Sequence, residues 1–378
     1  MILAFEASKN SWSKKYKSKL SDQCHVMKQI TILGAGLSGL TAGINLARKG
    51  YEVDVYERNE DVGMRFNGDM QGLENWSERK DILEELREMN IEISFDCDPF
   101  SKVTLTNCSK TKEINSQRPL FYLVKRGSFC GTIDYSLKAQ ALKLGVNLHF
   151  RRTLSPDEAD IVATGPTYRK AQGIVKGIVF NTDVADTAMA VFNNSLAFKG
   201  YSYLLIARKY GCICTVVFDE VWRANECFQK TREYFVRKLN LNARSIKEVA
   251  GVGNFSSKCA KKRIPLYVGE AAGLQDFLGG FGMRFAITSG YLAAQRFIEN
   301  RDYGRIANRR FQNKLKAGVV NRYLWENVLC KRNYAFLINI GDFAKVNMHS
   351  MYNYSLLQRM IYPLALANLK KTYPQLEF

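Results

Sequence analysis

The stretch that most constrains how this chain can fold spans residues 29–58. It has the sequence QITILGAGLSGLTAGINLARKGYEVDVYER, in which a short apolar run typical of a buried parallel strand ends at Gly34 and a helix follows. Gly34, Gly36 and Gly39 form a GxGxxG motif between that strand and that helix. The first glycine permits the tight turn, the second lets the backbone approach a pyrophosphate, and the third lets the helix pack closely on the strand. The stretch therefore predicts a Rossmann-like unit that binds a dinucleotide.

The residues around the glycines indicate which dinucleotide fits. Leu37 and Ser38 lie at the start of the helix, where unpaired N–H groups and the positive end of the helix dipole favour a phosphate. The second strand ends at Glu57, 18 positions after Gly39, where an acidic residue accepts hydrogen bonds from an adenosine ribose. Arg58 follows it and is assigned to the same site. A carboxylate here argues against a 2′-phosphate, so FAD or NAD fits better than NADP. The alternative is a glycine-rich helix start that binds nothing.

Net charge bears on the class of partner. The 378 residues include 55 Lys and Arg against 36 Asp and Glu, which gives a net charge of +19. Such an imbalance suggests nucleic acid, an anionic membrane surface or a phosphorylated substrate as a partner, and the alternative is a solvated basic surface. The basic clusters are short and match no recognised nucleic-acid-binding motif, so we expect no nucleic-acid partner.

Cysteine and histidine usage argues against metal and disulfide chemistry. The nine cysteines are scattered without a CxxC pair, and the chain has only three histidines. Cys212 and Cys214 alternate on a predicted strand, which is poor metal geometry without further ligands nearby. We therefore expect free thiols in a reducing compartment and no metal. No apolar run approaches the ~18 residues that span a bilayer, so we expect a cytoplasmic protein, with peripheral membrane contact as an option.

Periodicity predicts the other elements. Alternating patterns indicate a mainly antiparallel sheet over 174–180, 198–207 and 211–218. The same kind of pattern predicts shorter strands over 91–95, 102–107 and 120–125. Asp134 is predicted to cap a helix that runs through Leu144, and Asp219 a helix that runs to Leu239. The apolar positions after residue 300 suit short helices.

Three separated blocks together resemble a known flavoprotein pattern. They are GxGxxG with Glu57, DIVATG at 160–165, and GEAAG followed by GGFGMRFAITSGYLAA within 269–294. The trio is similar to the FAD-binding pattern of the aromatic-hydroxylase superfamily. The third block most resembles the geranylgeranyl reductase family, whose usual form is GDAAG…GxGIxxAxxSGxLAA. The resemblance covers roughly residues 28–300 and implies non-covalently bound FAD.

The resemblance also implies roles for residues of the third block. The acid at the position of Glu270, which follows Gly269, contacts the ribityl chain of FAD in that superfamily. Glu stands here where Asp is usual, so the contact is expected to be shifted or water-bridged. Gly279, Gly280 and Gly282 would let the backbone approach the flavin's pyrimidine edge. The helix that begins near Met283 would point its N-terminal dipole at that edge and stabilise the anionic reduced flavin.

Further residues are assigned by the same resemblance. Thr164 and Gly165, which end the second block, belong to the implied cofactor site. Arg126 lies where family members carry an Arg that contacts the cofactor, and the alternative is a surface Arg. Tyr201 and Tyr203 align with a YxWxFP pattern that lines the lipid pocket of archaeal members, although Trp has become Tyr and Phe–Pro has become Leu–Ile. The alternative is an ordinary hydrophobic strand.

The resemblance implies a fold class and a division into domains. The predicted fold is α/β, with a Rossmann-like FAD-binding domain, an inserted mainly antiparallel substrate domain and a helical C-terminal segment. Residues 1–27 are interpreted as a disordered or mis-started arm, because Met27 nearly adjoins the first strand. The remaining boundaries are 28–95, 120–172 and 255–300 for the discontinuous FAD-binding domain, 96–119 and 173–254 for the substrate or cap domain, and 301–378 for the basic helical segment.

The predicted function is an FAD-dependent oxidoreductase, in first place a reductase of C=C bonds in an isoprenoid or other apolar, lipid-like substrate. The alternatives are a monooxygenase of the same superfamily and a flavin electron-transfer or lipid-binding module without turnover. A halogenase is disfavoured because the four Trp residues do not form WxWxIP. No second GxGxxG unit occurs, so electrons are expected from NAD(P)H docking transiently or from a ferredoxin-like protein. The sequence identifies no catalytic acid or base and does not specify the oligomeric state.

Overall fold

The computed structural model describes residues 28–258, 264–335, 338 and 348–376, so the predicted arm over 1–27 lies outside the described residues. The strands are, in chain order, β1 (Gln29–Leu33), β2 (Glu52–Glu57), β3 (Met70–Glu74), β4 (Cys97–Phe100), β5 (Lys102–Thr106), β6 (Thr111–Asn115), β7 (Phe121–Lys125), β8 (Asn147–Phe150), β9 (Ile161–Val162), β10 (Gly173–Asn181), β11 (Thr187–Val191), β12 (Tyr201–Ala207), β13 (Tyr210–Phe218), β14 (Arg244–Gly253) and β15 (Leu266–Tyr267). The α-helices are α1 (Leu37–Ala47), α2 (Ile82–Glu88), α3 (Ile133–Lys143), α4 (Ala224–Leu239), α5 (Met283–Ile298), α6 (Tyr303–Leu324) and α7 (Leu356–Thr372).

A parallel five-stranded sheet forms the first layer, in the order β15–β9–β1–β2–β8. Its central strand is apolar, and Ile32 in β1 is fully buried among residues of α1, α3 and α5. The connection from β1 through α1 to β2 is the predicted Rossmann-like unit. The α/β prediction is therefore confirmed for this layer.

The motif glycines close the turn between β1 and α1. Gly34 has a φ of +105°, and its N–H donates to the carbonyl of Tyr56 at 2.8 Å. A Cβ at this position would lie 2.5 Å from the carbonyl oxygen of Ala163, and one at Gly39 would lie 2.0 Å from the carbonyl oxygen of Gly34. These two positions accept only glycine, because backbone atoms occupy the space that a side chain needs.

A seven-stranded sheet forms the second layer, in the order β14–β10–β13–β12–β11–β5–β6. Its neighbours are antiparallel except for the pair β11 and β5, which is parallel. A mixed, mainly antiparallel second sheet is thus confirmed. Strands β6, β11 and β14 were not predicted from periodicity. A small antiparallel sheet, β3–β7–β4, is the third sheet among the described residues.

Two of the predicted local features are wrong. Residues 91–95 form no strand, although Ile91 and Phe95 are buried in the main core. The alternating apolar pattern arises because two side chains of an irregular segment pack into the core. Strand pairing begins only at β4. Helix α3 is capped by Thr132, whose hydroxyl accepts a hydrogen bond from the N–H of Tyr135 at 3.3 Å. Asp134 lies inside the helix and pairs with an arginine instead, as described below.

The helical predictions for the second half of the chain also need correction. Asp219 does not cap α4. It has a φ of +55°, lies 2.7 Å from the ammonium group of Lys199, and precedes a short 3₁₀ turn at Val221–Arg223. The C-terminal helices α6 and α7 have 22 and 17 residues, so they are long rather than short. They pack on one another and, through Val319, Ala365 and neighbouring apolar residues, on the end of β13. A helical C-terminal region is confirmed.

Within the described residues no helix has both the length and the apolar character needed to cross a membrane. The seven cysteines that fall within the described ranges, Cys212 and Cys214 among them, are free thiols.

Candidate cofactor and substrate site

A cavity of about 880 Å³ lies between the parallel sheet and one face of the seven-stranded sheet. The residues that follow β1, β2, β9 and β15 line one end of it. These are the carboxyl ends of parallel strands, where open α/β sheets bind their ligands. The far end is lined by the seven-stranded sheet. Most of the sequence-predicted site residues meet in this cavity, namely Gly34, Gly36, Leu37, Ser38, Glu57, Arg58, Arg126, Thr164, Gly165, Tyr201, Tyr203, Glu270, Gly280, Gly282 and Met283.

The N-terminus of α1 presents backbone donors to the cavity. Its N-cap is Gly36, which makes no side-chain capping hydrogen bond, and the first turn contains no acidic residue. Gly36 has an ordinary φ of −79°, and a Cβ there would meet only the carbonyl oxygen of Ala163, at 4.0 Å. The first-turn N–H groups and the dipole are thus available to an anion.

Glu57 sits beside these donors. One carboxylate oxygen accepts a hydrogen bond from the N–H of Ala35 at 3.0 Å. The other accepts from the backbone N–H and the side-chain amide of Asn59, at 3.0 and 2.6 Å. The carboxylate is therefore fixed in position at the end of β2, and Arg58 lines the cavity next to it. Contact of Glu57 with a ribose remains a prediction.

A second helix N-terminus faces the same cavity. Helix α5 begins after the N-cap Gly282, which also lacks a side-chain capping bond and an acidic first turn. Gly280, with a φ of +75°, and Met283 line the cavity on either side of this cap. Two uncapped helix starts, each preceded by a glycine-rich turn, thus meet at one space.

Two predicted residues are absent from the cavity's lining and have packing roles. Gly39 lies against the Gly34 backbone, as described above. Gly269 has a φ of +59°, and a Cβ there would lie 2.9 Å from the hydroxyl of Ser38. The N–H of Gly269 donates to the hydroxyl of Ser289 at 2.8 Å. Both glycines let the strand ends and the helices α1 and α5 approach closely.

Glu270 has a partner that the sequence did not reveal. Its carboxylate lies 3.2 Å from the guanidinium of Arg65, in the loop after β2. Arg65 also stacks over the ring of Phe66, at 4.5 Å from the ring centroid. The longer Glu side chain thus ties the β15 end to this loop, and both Glu270 and Arg65 line the cavity.

Arg126 is buried, so its interpretation as a surface residue is wrong. Its guanidinium makes two hydrogen bonds of 2.8 Å with the carboxylate of Asp134 and one of 3.1 Å with Gln71. It also stacks over Phe66, at 4.1 Å from the ring centroid. The Asp134 pair fixes Arg126 at the cavity wall, while contact with a cofactor remains a prediction.

The far end of the cavity is an apolar chamber. Tyr201 and Tyr203 lie on the same face of β12 with ring centroids 5.9 Å apart. The hydroxyl of Tyr201 donates to the carbonyl of Gly279, which joins the sheet to the glycine-rich loop before α5. Burial raises the pKa of both tyrosines, so they stay neutral. Every cavity-lining residue of β5, β6 and β10–β13 is aliphatic, aromatic, Met, Cys or Gly.

A polar cluster between the two ends was missed by sequence reasoning. Asp276 is buried and accepts hydrogen bonds from the N–H groups of Leu278 and Gly279, at 3.1 and 2.8 Å. The hydroxyl of Tyr352 donates to Asp276 at 3.3 Å and accepts from the indole N–H of Trp76 at 3.3 Å. Burial raises the pKa of Asp276 to about 6. The one sequence signal for this cluster is the Asp before the second glycine-rich turn. The other members lie far from it in sequence, so no local pattern connects them.

The raised pKa of Asp276 predicts a pH-dependent stability. The folded state holds the proton up to about pH 6, whereas the ordinary value is 3.8, so the unfolded state loses it first. The stability that this group contributes is complete below about pH 4 and falls as the pH rises through 6. Relative to wild type, the free energy of unfolding of Asp276→Asn should therefore rise by about 2–3 kcal/mol between pH 4 and 7. Urea unfolding of both proteins at several pH values measures this, and a constant difference would contradict it.

Comparison with known proteins agrees with this geometry. The family profile described as an NAD(P)-binding Rossmann-like domain matches residues 32–71. Kynurenine 3-monooxygenase from Legionella pneumophila is 56% identical over 36 residues, which cover 10% of this chain and 8% of that relative's length. A geranylgeranyl bacteriochlorophyll reductase-like protein from Thermoplasma acidophilum is 18% identical, with a TM-score of 0.64 and coverage of 92% of this chain and 97% of that one. A flavin-dependent brominase is 14% identical, with a TM-score of 0.61 and coverage of 90% and 98%.

The structural likenesses extend over nearly the whole chain, at identities too low to carry more than the fold. They show that this chain has the fold of these two proteins, with a parallel Rossmann-like sheet, a second, mainly antiparallel sheet and C-terminal helices. The sequence match to the monooxygenase is confined to a short stretch.

Proposed function

We propose that this protein is an FAD-dependent oxidoreductase. The observation that carries the proposal is that two uncapped helix N-termini, those of α1 and α5, and the fixed carboxylate of Glu57 border one cavity with an apolar chamber beyond it. An extended dinucleotide needs an anion site at its centre and a ribose acceptor nearby. FAD, when bound, supplies the two-electron chemistry, and the protein supplies position and electrostatics.

The residues present fit this cofactor. Backbone donors at Gly36 and Leu37 would hold the pyrophosphate, and Glu57 would hold the adenosine ribose. Glu270, paired with Arg65, would lie beside the ribityl chain, and the first turn of α5 would place its positive dipole end at the flavin. Binding would be non-covalent. The electron donor would be NAD(P)H docking transiently or a ferredoxin-like protein.

The apolar chamber supports a substrate class. Its walls from β5, β6 and β10–β13 carry no ionisable Asp, Glu, Lys, Arg or His side chain among the described lining residues. Such walls favour an elongated apolar molecule over an acidic or sugar-like one. We therefore propose reduction of a C=C bond in an isoprenoid or other lipid-like substrate, in a protein located in the cytoplasm or peripherally at a membrane.

A monooxygenase is the second candidate, since the short sequence match is to an enzyme of that class. One experiment separates the two activities and the third option, a flavin module without turnover. The purified protein is examined for a flavin spectrum, reduced without oxygen, and then mixed with oxygen or with a polyprenyl lipid. Reoxidation by the lipid, with only peroxide formed from oxygen, supports the reductase.

Other outcomes of the same experiment decide against that proposal. Fast reaction with oxygen coupled to hydroxylation of an added aromatic compound would establish the monooxygenase. Bound flavin that neither acceptor reoxidises productively would favour the module without turnover. If flavin neither co-purifies nor can be reconstituted, the whole proposal fails.

A further inference from the structure

Helix α7 exposes an apolar surface. Leu356, Leu357, Met360 and Leu364 are 75%, 66%, 74% and 60% exposed. Residues 356, 360 and 364 are each four positions apart, so they lie along one face of the helix, with 357 beside them. We call these four side chains the α7 stripe. Large exposed apolar groups collected on one surface mark an interaction site.

The opposite face of α7 holds the helix firmly to the protein. Ala365 and Leu369 are fully buried against α6 and the end of β13. The side-chain amide of Gln358 donates to Asn321 on α6 at 3.0 Å. Ser355 and Gln358 form a capping box at the helix start. The α7 stripe is therefore presented by an anchored helix, and its residues are not required for that anchoring.

Charge around the stripe points to an anionic surface. Helix α7 carries Arg359, Lys370 and Lys371, all exposed, and contains no acidic residue. Of the six Lys and Arg residues of the neighbouring helix α6, Arg310 and Lys314 are paired with Glu78 and Arg322 is buried against Glu326, which leaves Arg305 and Arg309 exposed and Lys316 half-buried. Lys316 of α6 lies over the rings of Tyr354 and Tyr362, at 5.6 and 5.9 Å from their centroids. Apolar, basic and tyrosine side chains together are the composition of helices that lie in the plane of a membrane interface.

We propose that the α7 stripe docks the protein on an anionic lipid bilayer, with α7 lying in the interface plane. The stripe would enter the boundary between head groups and acyl chains, and the flanking cations would contact lipid phosphates. The inference rests on α7 and not on the proposed redox function. Docking also bears on the proposed redox function, because Met348, Met351 and Tyr352, just before α7, line the cavity. Docking would bring this part of the cavity wall closer to the lipid phase.

The test is co-sedimentation of the full chain with vesicles of phosphatidylcholine and phosphatidylglycerol. The variant Leu356→Gln/Leu357→Gln/Met360→Gln/Leu364→Gln keeps every charge. We expect it to bind on the order of 100-fold more weakly, since each side chain contributes about threefold or more. Trp222→Gln, which removes a side chain that is 76% exposed elsewhere, is the matched control and should bind like wild type. Unchanged melting of the quadruple variant verifies its fold.

Two further measurements distinguish insertion of the stripe from purely electrostatic binding and from self-association. At about 1 M NaCl, where the Debye length falls to about 3 Å, wild type should retain binding that the quadruple variant lacks, because the apolar part is not screened. The mass in solution is measured for both proteins. Equal vesicle binding by wild type and the quadruple variant would overturn the proposal. So would a dimer that the four substitutions convert to a monomer, since the stripe would then be an interface between copies. Flavin content, measured on the same samples, separately tests the cofactor site.

Discussion

Gly36→Val is expected to abolish flavin binding while leaving the fold intact. Gly36 has an ordinary φ of −79°, and a Cβ added there would lie 4.0 Å from its nearest neighbouring atom. The backbone therefore accommodates the substitution. The added branches, however, occupy the space at the N-terminus of α1 into which a pyrophosphate must fit. Loss of two or more hydrogen bonds to a charged group, each worth about 1.5–3 kcal/mol, weakens binding at least about 100-fold. The flavin-to-protein ratio after purification and a fluorescence titration with FAD measure the effect.

Two neighbouring glycines provide the controls. Gly43→Ala lies on the same helix, where a Cβ would make ordinary contacts of 3.6 Å with Val53 and Val146. It should bind FAD like wild type. Gly34→Ala should instead unfold the protein more readily, by about 2–4 kcal/mol, because the position needs a positive φ and its Cβ would meet the Ala163 carbonyl at 2.5 Å. Full flavin content in Gly36→Val would place the cofactor elsewhere than at α1.

Local signals explain what the sequence could predict. The turn at Gly34, the helix α1 and the strand ending at Glu57 are specified within thirty consecutive residues, where apolar periodicity and glycine sterics act without help from the rest of the chain. The start of α5 is a second local signal of the same kind. Both glycine-rich turns follow parallel strands, and parallel strands end at the same edge of a sheet. The sequence therefore also predicted that the two turns would meet at one cavity.

Long-range pairing explains what the sequence could not predict. Strand β14 is mostly exposed, so its sequence lacks the alternation of a half-buried strand. It nevertheless pairs along its length with β10. The ion pair of Glu270 with Arg65 and the hydrogen bond of Tyr352 to Asp276 form only when the layers pack on one another. The strand predicted over 91–95 was wrong for a different reason. Ile91 and Phe95 are buried without pairing to another strand, so their alternation did not indicate a strand. Side chains whose partners lie far away in sequence carry no periodic signal of their own.

Arg284→Met is expected to lower the free energy of unfolding by about 3–5 kcal/mol, because it leaves the buried carboxylate of Glu74 without its counter-charge and that of Glu85 with Arg310 alone. Arg284 is the second residue of α5 and is 3% exposed. Its guanidinium lies 2.9 Å from the carboxylate of Glu74 and 2.7 Å from that of Glu85, and it donates to the Glu74 carbonyl at 3.2 Å. The pair of contacts joins α5 to β3 and α2, directly behind the α5 turn that faces the cavity.

Most of the cost arises from the unpaired carboxylate of Glu74 rather than from the lost arginine, and a double variant separates the two. Glu74→Gln combined with Arg284→Met removes that charge, so the double variant should be more stable than Arg284→Met alone. Arg310→Met is the matched control, since Arg310 also binds Glu85, at 3.1 Å, but its side chain is 31% exposed. Because water replaces part of that contact, the free energy of unfolding should fall by only about 1 kcal/mol. Urea unfolding of the four proteins gives these values. A cost below about 1 kcal/mol for Arg284→Met would mean that water reaches the cluster and that the N-terminal turn of α5 is held in place by other contacts.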